Sequence, residues 1–515
     1  MSFARSLFTV SGLTVISRIG GFIRDSLTAI FLGAGPAADA FFVAQRLPNL
    51  FRSLFAEGAF SAAFVPLYAT EQERNGKEAA QQFAGQALML LLTALIPFSV
   101  VVMMFMPQVM LALAPGFERG TERYDLAVTF STITFPYLTL ISITALQTGV
   151  LNARGIFGPG AAAPIVLNIV LILALIATHF FDWHVGYTLA WAVTFSGVVQ
   201  CAWLAASCYH ARASIPILKP HLSEASGLLF RRIGPGAVGA GAAQINLLIS
   251  TILASTLPTG AVSYLYYADR LNQLPLGIVG IAVATTLLPL LSRCIELGDN
   301  EKVKHYNSRA IEFCFLLGLP ATIGLIVLAK PIIETLFQHG AFMPEDTEMT
   351  AQALCAYALG VPGFLLIKVF AAGFFARHDT KTPVKIAVIG MVVNVVCSIL
   401  LLGWLQHIGI ALANTIAVTF NAAALFWTMR RLNISIGDAR LHGNLKRISY
   451  CAAIMAVVTV LLTYFGWDAA VAAGNMRKVV SLGALIGISG LVYAVALHLS
   501  GAMKWQDVKM LLGRE

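Results

Sequence analysis

Long apolar runs recur along the chain, separated by short polar stretches. A membrane-spanning helix needs about 20 apolar residues, and windowing for such runs predicts about fourteen spans. They are Phe8–Leu32, Pro36–Ala69, Phe83–Ala114, Leu126–Leu151, Gly160–Phe181, Val185–Tyr209, Ile233–Thr256, Ala261–Leu291, Ala310–Phe337, Thr350–Phe375, Pro383–Gly403, Ile408–Met429, Ile448–Gly466 and Val479–Leu499. The pattern predicts an all-α polytopic membrane protein.

One stretch breaks the apolar rule. Ser17–Glu57 carries Arg18, Arg24, Asp25, Asp39, Arg46, Arg52 and Glu57 inside two predicted spans. An ionised side chain at the centre of an inserted helix costs about 2.5–3.5 kcal/mol, so four lipid-facing arginines would cost about 10–14 kcal/mol. Such residues must face protein, water or a bound ion. They predict a polar cavity inside a helical bundle.

Composition agrees with the spans. The chain is 58% hydrophobic and 11% charged, too little charge for a soluble surface. The net charge of +9 is a matter of loops, not of nucleic-acid binding. With the N-terminus inside, 23 of the 34 lysines and arginines fall in cytoplasmic segments. Four (Arg119, Arg123, Arg477 and Lys478) fall outside, and seven fall within spans. That asymmetry fits the positive-inside rule with both termini cytoplasmic. Ala38-Asp39-Ala40 resembles a signal-peptide cleavage site, but Arg18, Arg24 and Asp25 interrupt the apolar core such a peptide requires, so the first helix is retained. The seven cysteines show no CxxC and no metal-ligand spacing, and the ten histidines are scattered. No disulfide, metal or cofactor is assigned.

The chain repeats itself. Arg46-Leu47-Pro48-Asn49-Leu50 aligns with Arg270-Leu271-Asn272-Gln273-Leu274, Phe64-Val65-Pro66-Leu67 with Leu287-Leu288-Pro289-Leu290, and Gly186, Leu189 and Ala190 with Gly409, Leu412 and Ala413. Each repeat holds six helices, which gives parallel repeats related by an axis along the membrane normal. The expected organisation is an N-terminal lobe (1–210), a cytoplasmic linker (211–226), a C-terminal lobe (227–432), and two extra helices with a tail (433–515). Prolines and glycines inside spans, such as Pro48, Pro66, Pro275, Pro289 and Pro362, are either packing kinks or bends that let the bundle rock.

Arginine's planar fork grips phosphate or carboxylate with two parallel bonds. Arg18, Arg24, Arg46, Arg52, Arg270 and Lys368 outnumber Asp25, Asp39, Glu57 and Asp269 by two, which favours an anionic ligand; the alternative is a set of structural salt bridges. Asn49 and Arg52 share a helix face. Lys330 and Glu334, four apart, form a predicted pair. Asp39 and Ser263 occupy matching repeat positions near the outer mouth, where Asp39 could close it. No P-loop and no nucleophile or metal motif is present, so the chain reads as a transporter and not an enzyme.

These residues resemble a known family. Ser17-Arg18-Ile19-Gly20-Gly21-Phe22-Ile23-Arg24-Asp25, Asp39-Ala40-Phe41-Phe42-Val43-Ala44, Leu47-Pro48-Asn49-Leu50, Phe55-Ala56-Glu57-Gly58-Ala59-Phe60-Ser61, Ala114-Pro115-Gly116-Phe117, Tyr266-Tyr267-Ala268-Asp269-Arg270 and Lys381-Thr382-Pro383-Val384-Lys385 are similar to motifs of the MurJ/MviN lipid II flippases. The resemblance implies a bacterial inner-membrane protein of the multidrug/oligosaccharidyl-lipid/polysaccharide exporter superfamily. Such a protein moves the undecaprenyl-pyrophosphate-linked disaccharide-pentapeptide, lipid II, to the outer leaflet for peptidoglycan synthesis and cell shape. It implies that Arg18, Arg24, Arg52 and Arg270 bind the substrate, that Asp39 and Ser263 lie near an outer gate, and that the last two helices form a groove for the polyprenyl tail. Cell-wall synthesis enzymes are possible partners. Unlike sodium-coupled members, this chain has no Asp or Glu in Ile233–Thr256 or Pro383–Gly403, and Asn394 and Ser398 alone make a weak cation site. The competing readings are an exporter of another polyprenyl-linked glycan or drug, and a non-transporting scaffold for envelope enzymes.

The topology is directly measurable. Ser223→Cys should label in intact cells only with membrane-permeant thiol reagents, whereas cysteines at Arg119 and Gly340 should label with impermeant ones. Labelling of Ser223→Cys from outside would overturn the orientation and the even helix count.

Overall fold

The computed structural model describes the backbone of residues 3–55, 59–221, 224–434, 436–472 and 474–502. Side chains are described for the same residues except 3–8, 51–55, 59, 224–225, 230, 232–243, 278, 281–282 and 284–285. Every regular element among them is an α-helix. They are α1 (Phe3–Leu32), α2 (Pro36–Ala44), α3 (Arg46–Phe55), α4 (Ala59–Met104), α5 (Met106–Leu113), α6 (Glu122–Thr134), α7 (Tyr137–Ala153), α8 (Gly158–Phe181) and α9 (Val185–His210). They continue with α10 (Glu224–Ser255), α11 (Ala261–Glu296), α12 (Asn300–Val327), α13 (Ala329–Leu336), α14 (Pro344–Ala358), α15 (Val361–Phe375), α16 (Lys381–Arg431), α17 (Ala439–Ala472) and α18 (Asn475–Ser500). Among the described residues, nine segments are long and apolar enough to cross a membrane. The chain is an all-α polytopic membrane protein.

Several predicted spans are divided, and proline explains where. The run Pro36–Ala69 becomes α2, α3 and the start of α4. Pro48 has no N–H to give the carbonyl of Ala44, so it is accommodated in the first turn of a new helix. Pro107, Pro331 and Pro362 likewise sit in the first turns of α5, α13 and α15, and Pro136 separates α6 from α7. Two further breaks lie inside long helices, at Gly76 (φ 85°) in α4 and Gln406 (φ 47°) in α16. The breaks repeat: α5, α6 and α7 begin at residues 106, 122 and 137, and α13, α14 and α15 at 329, 344 and 361.

The chain forms two compact units. The first comprises residues 1–263 with 339–342, the second 264–338 with 343–515. In the first, α8 packs on α1 and α9, α2 on α6, and α4 on α7 and α10. Phe60, Phe64 and Phe83 stack within it at 5.3–5.4 Å between ring centres. In the second, α12 packs on α15 and α17, α16 on α14 and α15, and α17 on α18. Its core joins Val283, Leu287 and Leu291 to Leu365, Val369 and Leu425.

The α17–α18 hairpin is fastened to the second unit by polar contacts at both ends. Trp467 Nε1 donates to Glu334 Oε2 at 3.0 Å, and Lys478 Nζ lies 2.8 Å from Glu334 Oε1. Asn444 Nδ2 donates to Glu312 Oε1 at 3.1 Å, and Tyr493 OH to the carbonyl of Leu316 at 2.9 Å. Arg309 bridges Glu312 and Asp438 at 2.6 and 2.7 Å. Partial burial pushes the Asp438 carboxyl up, but the Arg309 guanidinium, the Leu441 amide and His305 together leave the group below the usual carboxylate range. The predicted Lys330–Glu334 pair does not form. Lys330 is exposed and lies 3.7 Å from Glu348, while Glu334 is buried and turned toward α17 and α18. A buried carboxylate is stabilised by a dry cation and an indole donor more than by a solvated lysine.

Within the first unit, residues 339–342 close against the end of α1. The Ala341 amide donates to the carbonyl of Ile30 at 2.8 Å. Gly33 and Gly340 both have positive φ, and a Cβ on either would lie 2.5 Å from the facing carbonyl, of Ala341 and Ile30 respectively. Gly33→Ala and Gly340→Ala should each cost about 1–3 kcal/mol through clash and strain. Thermal unfolding of the purified protein should show a lower midpoint for both, with Gly12→Ala, which lies inside α1 and meets nothing within 4 Å, as a control whose midpoint does not fall. Unchanged midpoints would show that the contact is not tight.

Candidate functional site

The first polar cluster sits on α1. Its Ser17, Gly20, Gly21 and Arg24 share a face at helical spacing, and this face meets α8. Arg24 Nη2 and Nε lie 2.7 and 3.1 Å from Asp25 Oδ1. Arg24 Nη1 donates to Asn168 Oδ1 at 3.0 Å, and Asn168 Nδ2 donates to the carbonyl of Ser17 at 2.9 Å. The Arg24 side chain is 18% exposed and that of Asp25 7%. The guanidinium is thus met between α1 and α8 by the Asp25 carboxylate and the Asn168 amide. Arg18, two turns earlier, is exposed, as are Val15, Ile16, Ile19 and Ile23 around it.

The second cluster is built on α2. Asp39 is fully buried. Its Oδ1 accepts from the Ser263 amide at 2.9 Å and from Ser263 Oγ at 2.6 Å; its Oδ2 accepts from the Gly260 amide at 2.8 Å. Arg123 Nη2 lies 2.8 Å from the same Oδ2. The carboxylate therefore caps the first turn of α11, whose free amides and dipole favour an anion. Arg123 is itself held: Nη1 donates to the carbonyl of Leu257 at 3.1 Å, and the guanidinium lies 4.0 Å over the Phe117 ring. Gly116 completes the contact, since a Cβ there would lie 2.3 Å from the Ser255 carbonyl oxygen. Three hydrogen bonds and one ion pair thus meet the two carboxylate oxygens. In this arrangement Asp39 fastens the α10–α11 turn.

The remaining expected residues lie on α3, α11 and α15. Arg46 and Asn49 are half-buried on α3. Arg52 lies on α3 with its side chain outside the described residues, and Glu57 lies outside them altogether. On α11, the Arg270 guanidinium lies 4.8 Å over the Tyr266 ring, and Gln273 donates to Asp269. Lys368 on α15 is exposed, with Nζ 6.0 Å from the Phe364 ring centre.

The structure therefore joins Arg24 to Asp25 and Asp39 to Ser263. It also brings in two residues that the sequence reading did not select. Arg123 reads as an exposed charge of an outer loop, yet it is buried with Asp39; the signal was Thr121 ahead of Glu122 and Asp125, a helix start that carries Arg123 inward. Asn168 is the single polar side chain between Ala161 and Ala177, a mark that could have been read.

Comparisons with known proteins agree with one another. A family model described as lipid II flippase MurJ matches residues 28–471. A protein of Rhizobium meliloti (strain 1021), named probable lipid II flippase MurJ, is 40% identical over 512 residues, covering 98% of this chain and 95% of that protein. The lipid II flippase MurJ of Burkholderia cenocepacia is 36% identical over 451 residues, covering 84% and 85%. A solved lipid II flippase MurJ in an inward closed conformation matches with a TM-score of 0.78 and 26% identity over 95% of this chain and 98% of that one. An inward-facing MATE family multidrug transporter of the MOP superfamily shares the fold, with a TM-score of 0.71 at 14% identity over 83% and 98%.

The Asp39–Arg123 pair makes a measurable claim. Removing one partner of a buried ion pair leaves an uncompensated charge and costs about 3–5 kcal/mol. Asp39→Asn and Arg123→Gln should each lower the thermal midpoint, and the double variant should lose less than the two losses added. Additive losses would show that the two side chains do not act as a pair.

Proposed function

The chain belongs to the lipid II flippase MurJ family, and from that premise we propose that it carries lipid II from the inner to the outer leaflet of the bacterial cytoplasmic membrane by alternating access. The observation that carries this reading is Arg24. A guanidinium 18% exposed between α1 and α8, beside the Asp25 carboxylate, is a costly feature in an apolar helix pair and suits capture of an anion. Lipid II offers that anion as pyrophosphate on an apolar polyprenyl tail.

In this reading Arg18, Arg24, Arg52, Arg270, Asn49 and Lys368 contact the headgroup, and Asp25, Asp39, Glu57, Ser263 and Asp269 are the polar groups that balance or gate it. Asp39 and Ser263, in contact here, part when the outer end opens. The chain crosses the membrane fourteen times with both termini in the cytoplasm. Residues 1–210 and 227–432 form the lobes, 211–226 links them, and 433–515 supplies the groove for the tail. Cell-wall synthesis enzymes are its natural neighbours in the membrane. A membrane potential negative inside favours outward movement of an anion by about 2.3 kcal/mol per charge per 100 mV, which supplies a driving force without a bound cation.

Depleting the protein should strand lipid II in the inner leaflet; normal arrival in the outer leaflet would remove the reading. Arg24 tests the chemistry. Arg24→Ala should insert at normal abundance yet fail to sustain growth as the sole copy. Arg24→Lys should be impaired, because an ammonium cannot form the two-bond fork. Adding Asp25→Asn should not rescue the alanine variant. Normal growth of Arg24→Ala would sink the anion-gripping role.

A further inference from the structure

We infer that Asn168, on α8, is a positioning residue for headgroup capture: it holds Nη1 of Arg24 and so fixes the direction in which the guanidinium meets pyrophosphate. The inference rests on the proposed role of Arg24.

The amide is 5% exposed and bonded at both ends, to Arg24 Nη1 at 3.0 Å and to the Ser17 carbonyl at 2.9 Å. Only one orientation satisfies both. The guanidinium carries donors alone and needs the amide oxygen, while the carbonyl needs the amide nitrogen. Helix side chains tilt toward the N-terminus, so the Arg24 head reaches back over the turn that contains Gly20 and Gly21. The same amide can then touch both Arg24 and Ser17, seven residues apart. A Cβ on Gly20 or Gly21 would lie 3.5 or 3.6 Å from Asn168 Nδ2. The amide therefore lies directly against this bare strip of α1.

Asn168 adds no charge. Asp25 already balances Arg24, through Nε and Nη2. What the amide contributes is direction. An arginine side chain has about 2 kcal/mol of rotamer entropy to lose, and a group that is already held loses less of it on binding. The rest of the α8 segment from Ala161 to Ala177 is apolar. A leucine at 168 would fill the space and keep the helices packed, so packing alone does not require the amide.

The test is a double-mutant cycle read by lipid II affinity of the purified full chain in nanodiscs, with thermal midpoints and membrane abundance measured beside it. Asn168→Leu should weaken lipid II binding about tenfold, the effect of one hydrogen bond to a charged group. In an Arg24→Ala background the same change should have no further effect. Equal weakening in both backgrounds would mean that Asn168 acts through packing, and unchanged affinity in the Arg24 background would also overturn the inference. If Asn168→Leu is lost from the membrane, Asn168→Ala carries the same comparison. Arg24→Ala with wild-type affinity would instead overturn the anion-gripping role itself. A weakened Arg24→Ala beside an unaffected Asn168→Leu would overturn the positioning role alone.

Discussion

A carboxylate with no water around it has to be met by donors, and much of the first unit is arranged around meeting that of Asp39. The acid sits in α2, but two of its partners are backbone amides at the start of α11, more than 220 residues later in the chain. That contact fixes where the α10–α11 turn lies. Arg123 then has to be buried to supply the counter-charge, which places the start of α6 beside α2. Arg123 in turn caps Leu257 and covers Phe117, and Gly116 must be glycine for the backbones to come that close. Desolvating an ion pair is expensive, and the geometry repays it only when remaining donors and acceptors are also filled. Here three hydrogen bonds and the Arg123 ion pair meet the carboxylate, while Arg123 Nε is buried without an acceptor. Loss of any one partner therefore weakens the whole contact.

The internal repeat shows where the second half has been adapted. Helices α5 and α13 begin 223 residues apart and are both eight residues long. Glu334 on α13 corresponds at that offset to Leu111, and Glu312 on α12 corresponds to Met89. Those two glutamates receive Trp467, Lys478 and Asn444 from the extra hairpin. Where the first repeat presents apolar side chains, the second presents carboxylates that need partners, and α17 and α18 bring them. The hairpin is therefore joined to the second unit by directional bonds as well as apolar packing. In a membrane this matters, because apolar surface alone gives little preference for protein over lipid.

Much of this was legible in the sequence. Run length carries the helical class, and proline positions mark where long runs divide, including the starts of the short helices α5 and α13. Arg24, Asp25, Asp39 and Ser263 stood out because charge and repeat position are visible in one dimension. Arg123 did not, since loop-charge counting treats every outer cation as solvated and cannot see one folded back under a turn. Lys330 and Glu334 illustrate the opposite error. Spacing of four residues makes a pair possible, but the buried acid found drier partners contributed by helices over 130 residues away. Asn168 was missed because neutral amides carry no weight in a charge count, even though an isolated amide in an apolar helix needs a partner as surely as an ion does.

Charge brings an anion to a site, but charge on a long flexible stem gives little geometry. Arg18 and Arg24 lie on the same helix six residues apart, yet one is exposed among exposed aliphatics and the other is bonded on both sides of its fork. The difference comes from α8, which offers an amide at the height of Arg24, against Gly20 and Gly21 of α1. Counting arginines treats the two residues alike. Their partners distinguish the two, and in the proposed reading only a guanidinium held as Arg24 is could discriminate pyrophosphate from other anions by shape.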